Sequence, residues 1–298
     1  MDHISVCICT YKRPGLLSDL LIRLQNQWTE SSFSFSVVIV DNDILKSAEV
    51  TALSVKRDLS IEVEYHVEPI QSIALARNRA VMNARGDLIA FIDDDEIPEE
   101  YWLFRLHQAL HKYKADAVEG PVIPYYEGTP PKWVIEGKFY ERPIHNTGFI
   151  IGADEGRTGN ILIKKEMFTK TGELFDPRFG SGAEDRDFIR RMIRKGFVFV
   201  WCNEARVFEY VPPARWKRRF MLRRALLRGK VSLARPARAY ILTFKSLLAI
   251  PVYTMALPVL FMLGHHWFMQ YLIKDFDHIG RILSLMKVNL INEKYIVA

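Results

Sequence analysis

Cysteine is scarce in this sequence, with three residues among 298, and only 14 prolines and 16 glycines occur. These numbers exclude a small disulfide scaffold and a collagen-like fibre. Because 49% of the residues are hydrophobic and 26% are charged, the chain can bury a substantial core and is not intrinsically disordered. Cys7 and Cys9 lie in an apolar run and are expected to be buried thiols in a reducing compartment. No basic segment or small-residue cleavage site precedes this run, so we expect no signal peptide.

Acidic residues are rare toward the C-terminal end, where residues 211–298 hold 15 basic and 3 acidic side chains. Residues 1–210 hold 26 and 32, so the net charge is about +12 after residue 210 and about −6 before it. Ten of the cations lie between Arg215 and Arg238, just before Ser246–Ile273, which contains no charged residue. A basic segment beside a long apolar run favours an anionic membrane surface over nucleic acid, because no nucleic-acid-binding motif accompanies it.

The apolar stretch Ser246–Ile273 leaves three interpretations open. It exceeds the roughly 20 residues that a membrane-spanning helix needs, but Pro251 and Pro258 interrupt it, so a re-entrant hairpin is an alternative to a full crossing. A helical interface within a homo-oligomer is the third. His265-His266 is expected to have an interfacial or structural role, because no other His or Cys lies near it in sequence. We therefore predict a catalytic domain of residues 1–210 and a basic, hydrophobic helical tail of residues 211–298.

The first part of the chain alternates short apolar runs with amphipathic segments. Residues 4–9 and 35–40 are β-branched runs, and residues 15–27 carry leucines at helical spacing. This alternation predicts an α/β fold, with a Rossmann-like, mostly parallel sheet and helices on both faces. Residues 117–149 are rich in proline and aromatic residues and are expected to form an irregular, substrate-binding insertion.

Four consecutive acidic residues, Asp93 to Glu96, follow the buried strand expected at residues 87–92. In open α/β sheets, ligands bind outside the carboxyl ends of the strands, where Thr10, Tyr11 and Asp41 are also expected. Four adjacent carboxylates repel one another, and a divalent cation such as magnesium or manganese would relieve that repulsion. A solvated acidic turn is the alternative interpretation.

Six segments resemble, in order, the motifs of family 2 glycosyltransferases: residues 9–14, 37–41, 76–78, 91–95, 158–160 and 182–185. The resemblance extends over roughly residues 4–230 and is closest to bacterial exopolysaccharide glucosyltransferases of the succinoglycan type. It implies a GT-A fold, a nucleotide-diphosphate sugar donor and inversion of the anomeric carbon in a single displacement.

The same resemblance implies roles for particular residues. On the donor side, the residues implied to bind the nucleotide sugar are Thr10, Tyr11, Arg13, Asp41, Arg77, Asp93 and Asp94. Asp95, together with Asp93, would hold a divalent Mn or Mg ion, and Asp185 would be the general base. The acceptor or donor-sugar side would include Asn160, Glu184 and Trp133. Simpler structural roles stay open for three of these residues: an Asx turn at Asp41, a surface charge at Arg77 and a helix N-cap at Asp185.

Two departures from the family pattern affect the expected function. Residues 207–210 read Val-Phe-Glu-Tyr where relatives often carry a histidine, which puts a third metal ligand from that position in doubt. The Gln-x-x-Arg-Trp signature of processive synthases is also missing, which favours addition of a single sugar.

We therefore expect an inverting, metal-dependent enzyme at the cytoplasmic face of a bacterial inner membrane. It would transfer one hexose, such as glucose, from a nucleotide sugar, with a UDP-sugar favoured, to a polyprenyl-linked saccharide in surface polysaccharide synthesis. A sugar-phosphate nucleotidyltransferase is an alternative, although residues 10–15 lack its Gly-rich, Lys-bearing phosphate loop. A catalytically inactive saccharide-binding or scaffold subunit is another.

Overall fold

The computed structural model describes residues 1–58, 61–233, 236–288 and 290–291, without the side chains of residues 55–58 and 236–238. Arg235 and the side chain of Arg238, which belong to the basic segment, lie outside the described residues. The chain divides into two compact units: unit 1 is Met1–Pro124 with Arg142–Tyr210, and unit 2 is Tyr125–Glu141 with Val211–Ala298. The expected division into domains 1–210 and 211–298 stays a prediction, because compactness alone does not define an independently folding domain.

The helices and strands follow the expected alternation. In chain order, the first half contains β1 (Asp2–Thr10), α1 (Pro14–Gln25), β2 (Phe33–Asp41), α2 (Glu49–Asp58), β3 (Glu62–Val67), α3 (Ile73–Asn83), β4 (Leu88–Ile92), β5 (Glu96–Pro98), α4 (Trp102–Lys112), β6 (Ala117–Glu119) and β7 (Val122–Tyr126). The second half contains α5 (Lys132–Glu136), β8 (Asn160–Lys164), α6 (Glu166–Thr171), α7 (Glu184–Arg194), β9 (Phe199–Trp201), β10 (Val207–Val211), α8 (Arg218–Val231), α9 (Pro236–Leu263) and α10 (His265–Leu285). The segment 117–149 is therefore less irregular than expected, since it contains β6, β7 and α5.

The main sheet of unit 1 has the strand order β3-β2-β1-β4-β8-β6-β9 in the described residues. Strands β1 to β4 pair in parallel, and β8 runs antiparallel to both β4 and β6. Thr10 lies opposite Asp41, and Ile92 lies opposite Asn160. Because β8 is reversed, its first residue reaches the same sheet edge as the last residues of β1, β2 and β4. The expected α/β fold with a mostly parallel sheet is confirmed.

Apolar side chains alternate between the two faces of this sheet, as the pleat of a strand requires. Ile4, Val6 and Ile8 of β1 pack into one core with side chains of α1 and α4. Cys7 packs into the opposite core with side chains of α3 and α7. Cys7 and Cys202 are buried free thiols. Cys9 is only partly buried, although it was expected to be buried like Cys7.

A second, three-stranded sheet has the order β5-β10-β7. Strand β10 pairs antiparallel with β5, which places Glu209 opposite Glu96. The backbone N–H of Tyr210 also donates to the carbonyl of Asp95 at 2.8 Å. This pairing brings β10 to the acidic segment that follows β4.

Unit 2 contains three long helices, α8 to α10. A Cβ atom added to Gly280 on α10 would lie 2.3 Å from the carbonyl oxygen of Leu226, and one added to Gly229 on α8 would lie 2.1 Å from that of Asp277. The two helices therefore approach closely at paired glycines. Helices α9 and α10 join at Gly264, whose φ of +156° suits glycine.

The long uncharged stretch is consequently two helices with a turn, not one continuous segment. Within the described residues, one helix is long and apolar enough to cross a membrane, Ala239–Leu263, and only 6% of its most apolar window is buried inside the protein. Its exposed apolar side chains include Phe244, Leu248, Met255 and Met262.

Candidate active site

Two side chains from the β1–α1 connection bind the acidic segment after β4. The Thr10 hydroxyl donates to Asp94 Oδ2 at 2.7 Å. Arg13 Nη1 donates to Asp94 Oδ1 at 3.0 Å and to Asp95 Oδ2 at 3.1 Å. The structure thus brings together four of the residues implied for the nucleotide and metal site, and it does so through charge-assisted hydrogen bonds.

Arg77 of α3 connects this segment to the start of α7. Its guanidinium forms ion pairs with Glu184 and with Asp93, the latter with Nη2 3.1 Å from Oδ1. Arg77 and Glu184 are both buried, with 6% and 2% of their surface exposed. A surface helix charge is therefore excluded for Arg77, because its side chain is buried between two carboxylates.

Three of the carboxyl groups after β4, those of Asp93, Asp94 and Glu96, each have a raised pKa. Burial is the main cause in each case, and neighbouring carboxylates add to it. The pKa of Asp94 rises to about 6 despite the opposing charge of Arg13, that of Asp93 is raised, and that of Glu96 lies well above its ordinary value. Binding of a cation would remove much of this repulsion and favour the ionised carboxylates.

One carboxylate oxygen of Glu96 is buried in the acidic segment and accepts no hydrogen bond from the described residues. The backbone N–H of Asp93 donates to Glu96 Oε2 at 3.0 Å, but Oε1 is buried and has no hydrogen-bond partner among the described residues. A Cβ atom on Gly159 would lie 2.7 Å from that Oε1 and 3.4 Å from Asp93 Oδ2, so glycine keeps this space open. An all-oxygen donor set with an orphaned carboxylate oxygen fits Mg²⁺ or Mn²⁺.

Sequence reasoning missed Glu209 and Arg142, which also face this cluster. Arg142 Nη2 donates to Glu209 Oε2 at 2.5 Å. The positive charge of Arg142 also opposes part of the rise in the pKa of Asp93 and Glu96. Glu209 lies within residues 207–210, the segment in which a histidine ligand was looked for, and it offers a carboxylate beside the acidic segment. Glu209 could have been noted from that departure, but nothing in the sequence pairs it with Arg142.

The start of α7 presents two adjacent carboxylates that differ in exposure. Gly182 and Ala183 have φ values of +128° and +71°, and Ala183 is the N-cap residue without a side-chain bond. The turn buries Glu184 against Arg77, whereas Asp185 is partly exposed and accepts a hydrogen bond only from the Arg186 backbone N–H, at 2.6 Å, among the described residues. Asp185 is therefore not the helix N-cap, and its carboxylate is accessible.

A cavity of about 130 Å³ lies within unit 1, and two of its lining residues, Glu119 and Arg157, interact electrostatically with Asp185. Its lining includes Glu119, Arg142, Asp154, Arg157, Asn160 and Trp201. Burial raises the pKa of Glu119 to about 8, although the Arg157 backbone N–H donates to it at 3.0 Å. The indole N–H of Trp201 is buried and unpaired, and the Arg157 guanidinium forms no hydrogen bond or ion pair within the described part of the chain. The cavity thus presents unused donors near Asp185.

Asp41 is completely buried at the end of β2. Its Oδ1 accepts from the Asp43 N–H at 3.0 Å, and its Oδ2 accepts from the Ala48 N–H at 2.7 Å and from the Tyr65 hydroxyl at 3.0 Å. This is the Asx-turn arrangement that the sequence left open. The implied contact with a nucleotide base is not available in this conformation, and that role stays a prediction.

Asn160 lines the cavity, but its side chain binds protein groups. Its Oδ1 accepts from the Trp102 indole at 2.7 Å, and its Nδ2 donates to the carbonyls of Pro121 and Ala205 at 3.0 and 2.6 Å. Asn160 therefore holds three segments together at the cavity wall. Direct contact with a sugar stays a prediction.

Tyr11 and Trp133 lie in different units. Tyr11 is half-buried in unit 1, with Lys12 Nζ 5.2 Å from its ring centre. Trp133 belongs to unit 2, where its ring packs against Phe139 and His265 with ring centres 5.5 and 5.1 Å apart. The sugar-binding role implied for Trp133 stays a prediction.

The mixed sheet, with carboxylates at the strand ends, defines an α/β fold of the GT-A type. Glycosyl transferase family 2 matches residues 5–171, and the chain belongs to this family. Membership confirms the expected family and the enzyme class, a glycosyltransferase, and it sets aside the nucleotidyltransferase alternative.

Among curated proteins, the succinoglycan biosynthesis protein ExoM of Rhizobium meliloti (strain 1021) is 34% identical over 228 residues, covering 73% of this chain and 72% of that protein. The hyaluronan synthase of Pasteurella multocida is 22% identical, and the match covers 71% of this chain but only 25% of the synthase. These matches confirm the expected relation to exopolysaccharide enzymes of the succinoglycan type.

Solved structures of S. aureus TarS share the fold. TarS 1–349 superposes with a TM-score of 0.55 at 14% identity, covering 97% of this chain and 89% of that one. The complex of TarS 1–349 with UDP-GlcNAc gives a TM-score of 0.54 at 16% identity, covering 71% of this chain and 59% of TarS.

Proposed function

We propose that the protein is an inverting, metal-dependent glycosyltransferase that adds a single hexose from a UDP-sugar to a saccharide acceptor. One observation carries the proposal: Asp185 is an accessible carboxylate beside the Arg77 ion pairs that connect α7 to the acidic segment after β4. In this proposal, Asp185 as the general base and the charged side chains around Arg77 therefore lie on two sides of one substrate-binding space. The ExoM match and the UDP-GlcNAc bound to TarS support the choice of donor and of an exopolysaccharide acceptor.

In this proposal Asp185 accepts the proton of the acceptor hydroxyl. The hydroxyl oxygen then bonds to the anomeric carbon of the donor as the bond from that carbon to the diphosphate oxygen breaks. The electron pair leaves with the nucleoside diphosphate, and the configuration inverts. A positioned base of this kind typically contributes about 10²- to 10⁴-fold in rate.

The acidic segment would bind the diphosphate through a divalent cation held by Asp95 and Asp93, with Glu96 or Glu209 as further oxygen ligands. When bound, the cation would supply charge stabilisation for the leaving diphosphate. Arg13 and Thr10 orient Asp94 and Asp95 before any ligand arrives. Arg77 would hold Asp93 and the α7 turn in place, so that binding does not have to create this arrangement.

The cavity beside Asp185 would bind the acceptor saccharide. Two donors that lack a hydrogen-bond partner among the described residues, the Trp201 indole N–H and the Arg157 guanidinium, can hydrogen-bond sugar oxygens. Glu119, with its pKa raised to about 8, is mostly protonated at neutral pH and can donate as well as accept. Such a mixed set of donors and acceptors is typical of carbohydrate-binding surfaces, in which every hydroxyl needs partners.

Unit 2 would place the enzyme at the cytoplasmic face of a bacterial inner membrane. Helix α9 exposes apolar side chains along its length, and Lys217, Arg219 and Lys230 in and next to α8 are exposed cations. Apolar and basic surfaces in one unit favour an anionic lipid surface and a polyprenyl-linked acceptor. An interface in a homo-oligomer would use the same exposed apolar side chains.

Calorimetry with a panel of UDP-hexoses, including UDP-glucose and UDP-GlcNAc, tests the donor and the metal together. We expect one UDP-sugar to bind with Mn²⁺ present and not with EDTA, and transfer to stop on chelation. Asp95→Asn should weaken Mn²⁺-dependent binding, whereas Asp19→Asn, at an exposed position on α1, should not. Full transfer activity in excess EDTA would contradict the metal requirement, and no binding of any UDP-sugar would contradict the donor class.

A further inference from the structure

Three metal-ligating side chains converge at the start of β1, away from the acidic segment. Asp2 is the first residue of β1, and His107 and His111 are four residues apart on α4, which places them on one helix face. Asp2 Oδ2 lies 2.8 Å from His107 Nε2 and 2.9 Å from His111 Nε2, and the two Nε2 atoms are 3.0 Å apart. The length of β1, roughly 26 Å, separates this cluster from Thr10.

Hydrogen bonds alone do not satisfy all three contacts. If both Nε2 atoms carry a proton, each can donate to Asp2, but two N–H groups then face each other across 3.0 Å. If one Nε2 is unprotonated, its lone pair faces the Asp2 carboxylate oxygen. Every arrangement of protons around an ionised Asp2 therefore leaves one of the contacts unfavourable. A cation that receives a lone pair from each of the three atoms satisfies all of them.

The distances also suit a metal ion. Three atoms separated by 2.8, 2.9 and 3.0 Å are each about 2.1 Å from a point just outside their common plane, and that is the usual length of a bond from zinc to imidazole nitrogen or carboxylate oxygen. The angles at that point are close to 90°, as on one face of an octahedron. The remaining positions are open to water, because His111 is 58% exposed.

Neighbouring groups fix His107. It has only 11% of its side chain exposed, and its ring centre lies 4.9 Å from that of Phe33 on β2. The adjacent His3 takes no part, since its ring nitrogens contact Ser34 and Ser36. The ligand set is therefore two imidazole nitrogens and one carboxylate oxygen, one of them held rigidly.

We propose that Asp2, His107 and His111 form a second metal site that binds one divalent transition metal ion, such as Zn²⁺, Co²⁺ or Ni²⁺. Imidazole ligands favour these ions over the Mg²⁺ or Mn²⁺ expected at an all-oxygen site. The ion connects the start of β1 to α4, two elements of the same core, and so stabilises unit 1 against unfolding. The site does not depend on the proposed transferase activity.

The test uses the untagged full-length protein, freed of metal by chelation and then titrated with Co²⁺. Wild-type protein should bind one equivalent with a visible absorption spectrum of nitrogen and oxygen ligation, and the ion should raise the unfolding temperature. His111→Gln, at an exposed position, should weaken Co²⁺ binding by at least about 100-fold, and Asp2→Asn should also weaken it. His66→Gln on β3, where the imidazole contacts Glu64, is the matched control and should bind normally.

Two results would overturn the proposal. One is the absence of a Co²⁺ spectrum and of any metal-induced stabilisation in wild-type protein. The other is equal Co²⁺ binding by wild type, His111→Gln and Asp2→Asn, which would assign the binding to other ligands. Since His111 is largely exposed, loss of binding by its variant with an unchanged circular dichroism spectrum cannot be attributed to misfolding.

Discussion

Glu119 provides a sharp test of the cavity electrostatics, because its pKa is raised by burial to about 8 from an ordinary value of 4.5. A carboxyl whose pKa is higher in the folded state contributes stability that is fully present below the unfolded pKa and is lost as pH rises toward the folded pKa. Glu119 should therefore reduce stability progressively between about pH 4.5 and pH 8. At pH 7, keeping it protonated costs about 3 kcal/mol relative to the ionised unfolded chain.

Glu119→Gln removes this cost because the amide does not ionise and its oxygen can still accept from the Arg157 N–H. The variant should match wild type near pH 4.5 and be more stable at pH 7 by up to about 3 kcal/mol. For a unit of this size, that difference corresponds to an unfolding temperature roughly 6–12 °C higher. Asp94, whose pKa is also raised, affects both proteins equally and cancels in the comparison.

Thermal unfolding followed by circular dichroism between pH 4.5 and 8 measures the effect. Glu100→Gln, at an exposed position in the same unit, is the control and should leave the pH dependence unchanged. The reasoning is refuted if Glu119→Gln and wild type lose stability in parallel as the pH rises, since Glu119 would then be ionised in the folded protein.

Two further predictions concern unit 2. Gly280→Val should destabilise the packing of α8 on α10 by about 1–3 kcal/mol, because the Leu226 backbone occupies the added volume; urea unfolding measures this, with Gly15→Ala, which has open space around it, as the control. Reversing the exposed cations Lys217, Arg219 and Lys230 to Glu should weaken binding to anionic vesicles by about 3 kcal/mol, roughly a hundredfold, at low salt and by less at high salt. A soluble full-length protein that ignores anionic vesicles would instead assign the apolar surface of α9 to an oligomer interface.

Local patterns in the sequence were sufficient to predict the elements that hold the site. The buried strand before Asp93, the alternation of runs through residue 92 and the glycine turn before Glu184 all leave signals within a few residues. The sequence also predicted that Thr10, Arg13 and the acidic segment lie close together, because the carboxyl ends of parallel strands meet at one edge of the sheet.

Contacts between distant segments could not be predicted in this way. Arg142 and Glu209 are 67 positions apart, and Arg142 lies in a segment without helical or strand periodicity. The burial of Arg77 between Asp93 and Glu184 depends on how α3 and α7 pack. The position of Arg77 in the sequence does not reveal that packing. Trp133 was placed at the sugar site because it is aromatic and lies in a proline-rich segment, and its packing against Phe139 and His265 was not predictable from that segment.

The most direct test of the central claim is the turnover of Asp185→Asn measured beside its donor affinity. The substitution keeps size and hydrogen bonding but removes the basic oxygen, so UDP-sugar binding with Mn²⁺ should be retained while transfer falls about 10²- to 10⁴-fold. Asp19→Asn should transfer at the wild-type rate. If Asp185→Asn retains near-normal transfer, Asp185 is not the base that activates the acceptor, and the account of this site is wrong.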